Sequence, residues 1–256
     1  AQTFQNADAI FYSGYSLEGQ LGDVLGRFAE TKPTIAVAPT SIAPAELISV
    51  QDLYGIDPHL WMDASLWAKI APTIATTLAE IRPDCADAMK ASAAEYGKQL
   101  AALHEWVKAA VASIPEQQRI LVTAHDAFAY YGRAYGIEVA GIQGISTEAE
   151  AAVADVRETV DLVVERKVPA IFVESTINPR TIQAVVDAAK ERGQDVVIGG
   201  VLYSDAMGEP GKAGGTYIGM IFENTKNIVE ALGGTAPPVP DALAGWAEKY
   251  DVAASE

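Results

Sequence analysis

Short apolar runs rich in β-branched residues alternate with segments of helical periodicity, and this alternation restricts the fold more than any other feature of the chain. The runs occupy residues 9–12, 34–38, 120–123, 170–173 and 196–198. Runs of this length and composition predict buried strands. Strands that alternate with helices predict parallel α/β units. The expected fold class is therefore α/β, with parallel-type sheets flanked by helices.

Two amphipathic helices are clearest in the second half of the chain. The first follows Ser146, and its apolar stripe consists of Val153, Val156, Val160, Val163 and Val164. Such a stripe predicts a helix that packs one face on a sheet. The second follows Asn178 and Pro179 and is expected to stop at Gly193, because proline favours a helix start and glycine a helix end.

A long stretch between the strand-bearing halves, residues 63–114, is rich in Ala, Leu, Lys and Glu. Pro72 and Pro83 interrupt it, so it predicts two consecutive helices. The second, residues 84–113, would extend about 45 Å at 1.5 Å per residue. We therefore expect two lobes joined by one long rigid helix. The predicted boundaries are an N-terminal lobe at residues 1–82, a linking helix at 83–114 and a C-terminal lobe at 115–256, whose tail from Thr235 wraps the surface without a core of its own.

Charge and cysteine content exclude several classes of partner. The chain has 34 acidic and 18 basic side chains and a net charge of −16, which repels phosphate backbones, so nucleic acid is not an expected partner. The single cysteine, Cys85, excludes an intramolecular disulfide and a cluster of thiolate ligands. No apolar run is long enough to span a membrane, and the first residues lack the regions of a signal peptide. The chain is expected to be either cytosolic or the product of leader removal.

The three histidines are candidate metal ligands, because neutral imidazole is a common ligand near neutral pH. His104 lies inside the predicted long helix, where we expect a structural role. His59 stands in Asp-Pro-His-Leu-Trp, directly before a helix expected to start at Asp63, and the proline fixes the backbone there. His125 follows the predicted strand at residues 119–122, and open α/β sheets bind ligands at that end of their strands.

Asp205 lies in a loop a few residues beyond the strand predicted to end near residue 198. With His59 and His125 it supplies two nitrogens and one oxygen, a set that suits Zn²⁺ or Mn²⁺ better than Ca²⁺ or Cu(I). The three residues are far apart in sequence and form no compact motif. From position alone, helix capping or turn formation is an equal alternative for each.

Six segments resemble, in the same order, signatures of the TroA-like family, the zinc- and manganese-binding solute receptors of bacterial ABC transporters. They are Asn-Ala-Asp-Ala-Ile-Phe-Tyr-Ser-Gly from residue 6, Asp-Pro-His-Leu-Trp from 57, Thr-Ala-His-Asp-Ala-Phe from 123, Gln-Gly-Ile-Ser-Thr-Glu from 143, Ile-Phe-Val-Glu-Ser from 171 and Tyr-Ser-Asp-Ala-Met-Gly from 203. The resemblance runs from about residue 6 to residue 233. It implies a non-enzymatic monomer that holds a metal between two lobes and delivers it to a membrane permease. It also implies a periplasmic or other extracytoplasmic location, with membrane anchoring before processing.

The resemblance assigns His59 as the ligand of the first lobe and His125 and Asp205 as ligands of the second. Members with glutamate at the position of His125 tend toward manganese, so the histidine implies Zn²⁺, with Mn²⁺ or Fe²⁺ as alternatives. Members usually carry a further histidine upstream of the Asn-Ala-Asp strand, and we expect this chain to lack that ligand and the opening part of the first lobe. Water, another molecule, Glu18 or Glu174 is expected in its place; the resemblance also implies that Glu174 orients His125.

Two other functions stay open. Three ligands and an open position also describe a zinc hydrolase, in which Glu174 would act as the base. The same fold can also serve as an adhesin or a scaffold without transport. A screen of ester and phosphoester substrates with added zinc separates the hydrolase from a receptor. A permease and an ATPase encoded beside the gene would favour transport over the adhesin or scaffold.

Overall fold

The computed structural model describes residues 2–50, 55–147 and 150–252. The chain divides into two compact units, Ala1–Ala101 and Ala102–Glu256. Each contains parallel strands and helices, which confirms the predicted α/β class. Glu148, the last residue of the Gln-Gly-Ile-Ser-Thr-Glu segment, lies outside the described residues. The predicted boundaries at residues 82 and 114 stay predictions.

The first unit contains a short parallel pair of strands, β1 (Ile10–Tyr12) and β2 (Thr34–Ala36). The helices beside this pair are α1 (Gln2–Asn6), α2 (Leu21–Ala29) and α3 (Val37–Ser41). The strand predicted at residues 34–38 is therefore two residues too long. Pro39 explains the early end, because proline has no N–H for a strand ladder but fits the first turn of a helix.

The helical stretch predicted at residues 63–114 is confirmed in most of its length. It folds into α4 (Ala64–Trp67), α5 (Ile70–Ile81) and α6 (Ala86–Ala112). Asp63 caps α4 by accepting the N–H of Ser65 at 2.9 Å. Pro72 does not break α5, because it stands in the first turn, where backbone N–H groups have no partner within the helix. Pro83 begins the turn between α5 and α6, and α6 continues from the first unit into the second.

The second unit is built on four strands, which form two parallel pairs. They are β3 (Ile120–His125) with β4 (Glu138–Gln143), and β5 (Ala170–Glu174) with β6 (Val197–Leu202). The two pairs lie side by side through β3 and β5. Every residue of β3 is buried. Strand β4 was not predicted from the sequence, because its mixture of Glu, Gly and Gln among apolar residues leaves it partly exposed.

Helices of the second unit pack on these strands. They are α7 (Ala129–Tyr135), α8 (Val153–Glu165), α9 (Arg180–Glu191) and α10 (Tyr217–Ala231). The two helices predicted from periodicity are α8 and α9. Val160 and Val163 of α8 pack in one buried cluster with Ile182 and Val185 of α9. Val153, assigned to the same stripe, stands in the first turn of α8 and is 69% exposed.

The C-terminal tail packs firmly on the second unit. It contains α11 (Ala244–Lys249), where Trp246 is buried and its indole N–H donates to Thr216 Oγ1 at 3.1 Å. The indole N–H of Trp106, on α6, donates to the carbonyl of Pro237 at 2.9 Å. The tail thus shares the core of this unit. Across the described residues, the helices are all too short or too polar to cross a membrane.

Candidate metal centre

His59 stands in a turn whose backbone and side chain are held by the same carboxylate. Asp57 Oδ1 accepts the backbone N–H of His59 at 2.9 Å and lies 2.8 Å from His59 Nδ1. Asp57 and His59 are both buried. A hydrogen bond at Nδ1 fixes the tautomer that presents Nε2 as an electron-pair donor. Pro58 between the two residues restricts the backbone, which favours the turn that brings the Asp57 carboxylate to His59.

His125 is the last residue of β3, so its backbone belongs to the buried strand rather than to the loop after it. Glu174, the last residue of β5, holds it at two points. Glu174 Oε1 accepts the backbone N–H of His125 at 2.9 Å, and Oε2 lies 2.5 Å from His125 Nδ1. Because β3 and β5 are neighbouring strands, their ends bring these two residues together across 49 positions of sequence.

Asp205 faces the other nitrogen of the same ring. β6 extends to Leu202, four residues further than predicted, so Asp205 follows the strand end by three residues. Its Oδ2 lies 3.4 Å from His125 Nε2. The Asp205 side chain is 29% exposed, whereas those of His125 and Glu174 are fully buried. The cluster therefore joins two strand ends and one loop, with only the aspartate open to solvent.

The charges around His125 change its proton affinity. Burial by itself lowers the pKa of His125, but the hydrogen bonds and negative charges of Asp205 and Glu174 outweigh burial and raise the pKa to about 9. The imidazole thus has one carboxylate at each nitrogen, and at neutral pH it is positively charged, with a proton on both nitrogens. A divalent cation that takes the Nε2 position replaces this proton.

The remaining sequence candidates have local partners. Glu18, predicted as a substitute ligand, accepts the N–H of Ser13 at 2.7 Å and that of Gly14 at 3.1 Å through its two carboxylate oxygens. These bonds fold the loop after β1, and its role as a ligand stays a prediction. His104 lies on α6 with its ring 5.2 Å from that of Tyr135.

Asp57 holds a candidate ligand and was not predicted to do so from the sequence. Its signal was available, because an aspartate two residues before a histidine, with proline between them, can reach both the N–H and Nδ1 of that histidine. Both histidines that carry the metal prediction, His59 and His125, thus have Nδ1 against a buried carboxylate.

Comparisons with known proteins identify the family of this chain. Residues 1–231 match the ZnuA family, described as zinc-uptake complex component A, periplasmic. The manganese-binding lipoprotein MntA of Bacillus subtilis (strain 168) is 45% identical over 227 residues, which are 89% of this chain and 74% of that protein. The zinc-binding protein TroA of Treponema pallidum (strain Nichols) is 40% identical over 227 residues, 89% of this chain and 73% of that protein.

The fold agrees as well. The solved structure of the periplasmic zinc-binding protein TroA from Treponema pallidum matches with a TM-score of 0.86 and 39% identity, over 90% of this chain and 83% of that one. This confirms the two-lobed α/β class and the resemblance to TroA-like receptors drawn from the sequence segments. The chain belongs to the family of the periplasmic zinc-uptake component ZnuA, which includes TroA-like metal receptors.

Proposed function

We propose that this protein captures a single Zn²⁺ ion, with Mn²⁺ or Fe²⁺ as alternatives, and delivers it to the membrane permease of an ABC transporter. It acts outside the cytoplasm as a monomer, without nucleic acid and without enzymatic activity. Membership of the ZnuA family supports this role, and so do the names of the similar proteins, which describe zinc and manganese binding.

The observation that carries the proposal is the distance between His125 Nε2 and Asp205 Oδ2, which is 3.4 Å. Two ligand atoms bound to one tetrahedral Zn²⁺ at about 2.0–2.1 Å lie roughly 3.3 Å apart. The pair is therefore spaced as two ligands of one ion. Glu174 on Nδ1 supports this role, because a carboxylate behind a metal-binding imidazole orients the ring and raises its basicity.

His59 is the proposed third ligand. Its Nδ1 is held by Asp57, which is the arrangement that presents Nε2 to a metal. Two imidazoles and one carboxylate have the borderline softness that favours Zn²⁺, Mn²⁺ or Fe²⁺ over Ca²⁺.

The direct test is metal titration of the purified, metal-free protein with Zn²⁺ and, separately, with Mn²⁺. We expect Zn²⁺ to bind with a Kd below about 1 µM, and each of His59→Ala, His125→Ala and Asp205→Ala to weaken binding by about a hundredfold or more, since each removes a ligand. Competition between the two ions decides which one the site prefers.

His104→Ala is the matched control, because it removes the remaining histidine of the chain from a position against Tyr135. We expect unchanged affinity in this variant. Binding no tighter than micromolar for both ions, or an equal loss in His104→Ala and His59→Ala, contradicts the proposal. Zinc-dependent hydrolysis of ester or phosphoester substrates would favour the hydrolase alternative instead.

Delivery to a permease is tested in cells. A strain that lacks the gene should accumulate less labelled zinc at low external concentration, and the wild-type gene should restore uptake. Asp205→Ala, expressed to the same level, should not restore it. Equal restoration by both genes contradicts a transport role for this metal site.

A further inference from the structure

The loop that carries Asp205 is held by the neighbouring helix α10, and we propose that Asn224 is a positioning residue that fixes the Asp205 carboxylate opposite His125. This inference rests on the proposed function, because it takes Asp205 to be a metal ligand. The Asp205 side chain is 29% exposed, so burial alone does not determine where its carboxylate lies.

Asn224 binds the backbone just before Asp205 with both arms of its carboxamide. Its Oδ1 accepts the N–H of Tyr203 at 2.8 Å, and its Nδ2 donates to the carbonyl of Tyr203 at 2.7 Å. Asn224 is 1% exposed. These bonds extend the backbone pairing by one residue past the end of β6. Two buried hydrogen bonds on one residue restrict the direction in which the chain leaves the strand, and Asp205 is two residues further on.

The side chain of Tyr203 lies beside the same helix. Burial raises the pKa of its hydroxyl, and the nearby carboxylate of Glu223, the residue next to Asn224, raises this pKa further. The Asp205 loop then closes over the ring, because Gly208 N–H donates to the carbonyl of Gly214 at 2.7 Å. A Cβ at Gly208 or Gly214 would lie 2.9 Å from the Tyr203 hydroxyl oxygen. Helix α10 therefore holds the backbone of Tyr203, and the Asp205 loop packs against its ring.

Helix α10 is itself anchored at its start and on its buried side, so it can support the Asp205 loop. Thr216 caps it by accepting the N–H of Gly219 at 3.1 Å, and the same hydroxyl accepts the indole N–H of Trp246. On the buried side, the hydroxyls of Tyr131 and Thr225 lie 3.0 Å apart. A side chain that projects from an anchored helix positions a loop residue more precisely than contacts within the loop do.

Asn227 offers a matched control on the same helix. Its Nδ2 donates to the carbonyl of Val201 at 3.2 Å, so it also joins α10 to β6 through a side-chain amide. That contact is at the solvent surface and lies within the strand, before its end at Leu202. Loss of this bond should leave the Asp205 loop unchanged.

The test is a double-mutant cycle on Zn²⁺ affinity. We expect Asn224→Ala to weaken Zn²⁺ binding about tenfold in the wild-type background, the scale seen when a supporting residue behind a ligand is removed. In the Asp205→Ala background, Asn224→Ala should change Zn²⁺ affinity by less than about twofold, because Asn224 acts on the metal only by positioning Asp205. Asn227→Ala should have little effect in either background.

Hydrogen exchange of the metal-free protein supplies a second readout that needs no metal. Asn224→Ala should speed exchange of the Tyr203 amide and of the loop after it, and Asn227→Ala should not. If Asn224→Ala fails to fold, Asn224→Ser decides in its place, because its hydroxyl is uncharged and too short to make both bonds with Tyr203.

An equal fold-loss of affinity with and without Asp205, or unchanged exchange in the loop, overturns the proposal and leaves Asn224 a structural residue. Absence of Zn²⁺ and Mn²⁺ binding by the wild-type protein is a different result. It contradicts the proposed function, and it also contradicts the positioning role of Asn224, because Asp205 would not be a ligand.

Discussion

The two units hold their candidate ligands in different ways. In the first unit, Asp57 and His59 are two residues apart, and a single turn brings them together. In the second unit, His125 and Glu174 end β3 and β5, whereas Asp205 lies in the loop after β6, and the three meet only because these strand ends are neighbours. The first is a local arrangement, and the second depends on contacts between separate strands of its unit.

This difference teaches where binding and stability are coupled. The contacts of Asp57 with His59 lie within one turn, so their loss should have a limited effect on the rest of the first unit. The side chains of His125 and Glu174 are fully buried, and the imidazole has one carboxylate at each nitrogen. Substitutions around His125 should lower both the stability of the second unit and the metal affinity, whereas substitutions at the Asp57–His59 turn should lower mainly the metal affinity.

The largest expected effect is that of Glu174→Ala. It removes the acceptor of two contacts to buried His125, so the metal-free protein should lose roughly 3 kcal/mol of unfolding free energy, the scale for breaking a buried pair. Zn²⁺ affinity should fall about ten- to a hundredfold. Urea unfolding without metal and zinc titration check the two effects. A stability loss no larger than that of Asp57→Ala would contradict the comparison.

The second prediction concerns pH. The pKa of His125 is raised to about 9 in the folded, metal-free protein, whereas an unfolded histidine has a pKa of about 6.5. The folded state thus holds the extra proton between these values, so stability is fully present below about pH 6.5 and falls as pH rises through about 9. We expect a loss on the order of 2 kcal/mol across this window.

Urea midpoints at pH 6, 7.5 and 9 in the presence of a chelator measure this loss. His125→Ala should have a clearly flatter profile over the same window, because the titrating imidazole is gone. Parallel profiles for the wild-type protein and His125→Ala would show that another group is responsible.

The same contrast between local and long-range contacts explains how much the sequence could predict. Periodicity placed His59 near a helix start and His125 and Asp205 after strands, but the resemblance to the TroA-like family is what selected these three as ligands, and that assignment stays a prediction. The contacts of Glu174 and Asn224 depend on which strands and helices become neighbours, and no local pattern states that. Strand β4 was missed because its partly exposed position needs no continuous apolar run. Asp57 could have been found, since its contact is local.

The third prediction tests the turn of the first unit. Asp57→Ala should weaken Zn²⁺ binding about tenfold, because His59 Nδ1 loses the carboxylate that orients the ring. The stability loss should be about 1.5 kcal/mol, smaller than for Glu174→Ala. Asp63→Ala is the matched control, since it removes the cap of α4 nearby, at a cost of about 1 kcal/mol, without removing the carboxylate on His59. Equal zinc affinities for the two variants would contradict an orienting role for Asp57.

The smallest effect is expected at Glu18, the other acidic candidate of the first unit. Its carboxylate already accepts the N–H groups of Ser13 and Gly14, so Glu18→Gln should cost about 0.5–1 kcal/mol of stability by weakening these bonds. If Glu18 only shapes the loop after β1, zinc affinity should change less than about twofold, whereas loss of a ligand would reduce it far more. Zinc titration of Glu18→Gln beside Asp57→Ala therefore decides whether the first unit supplies one ligand or two.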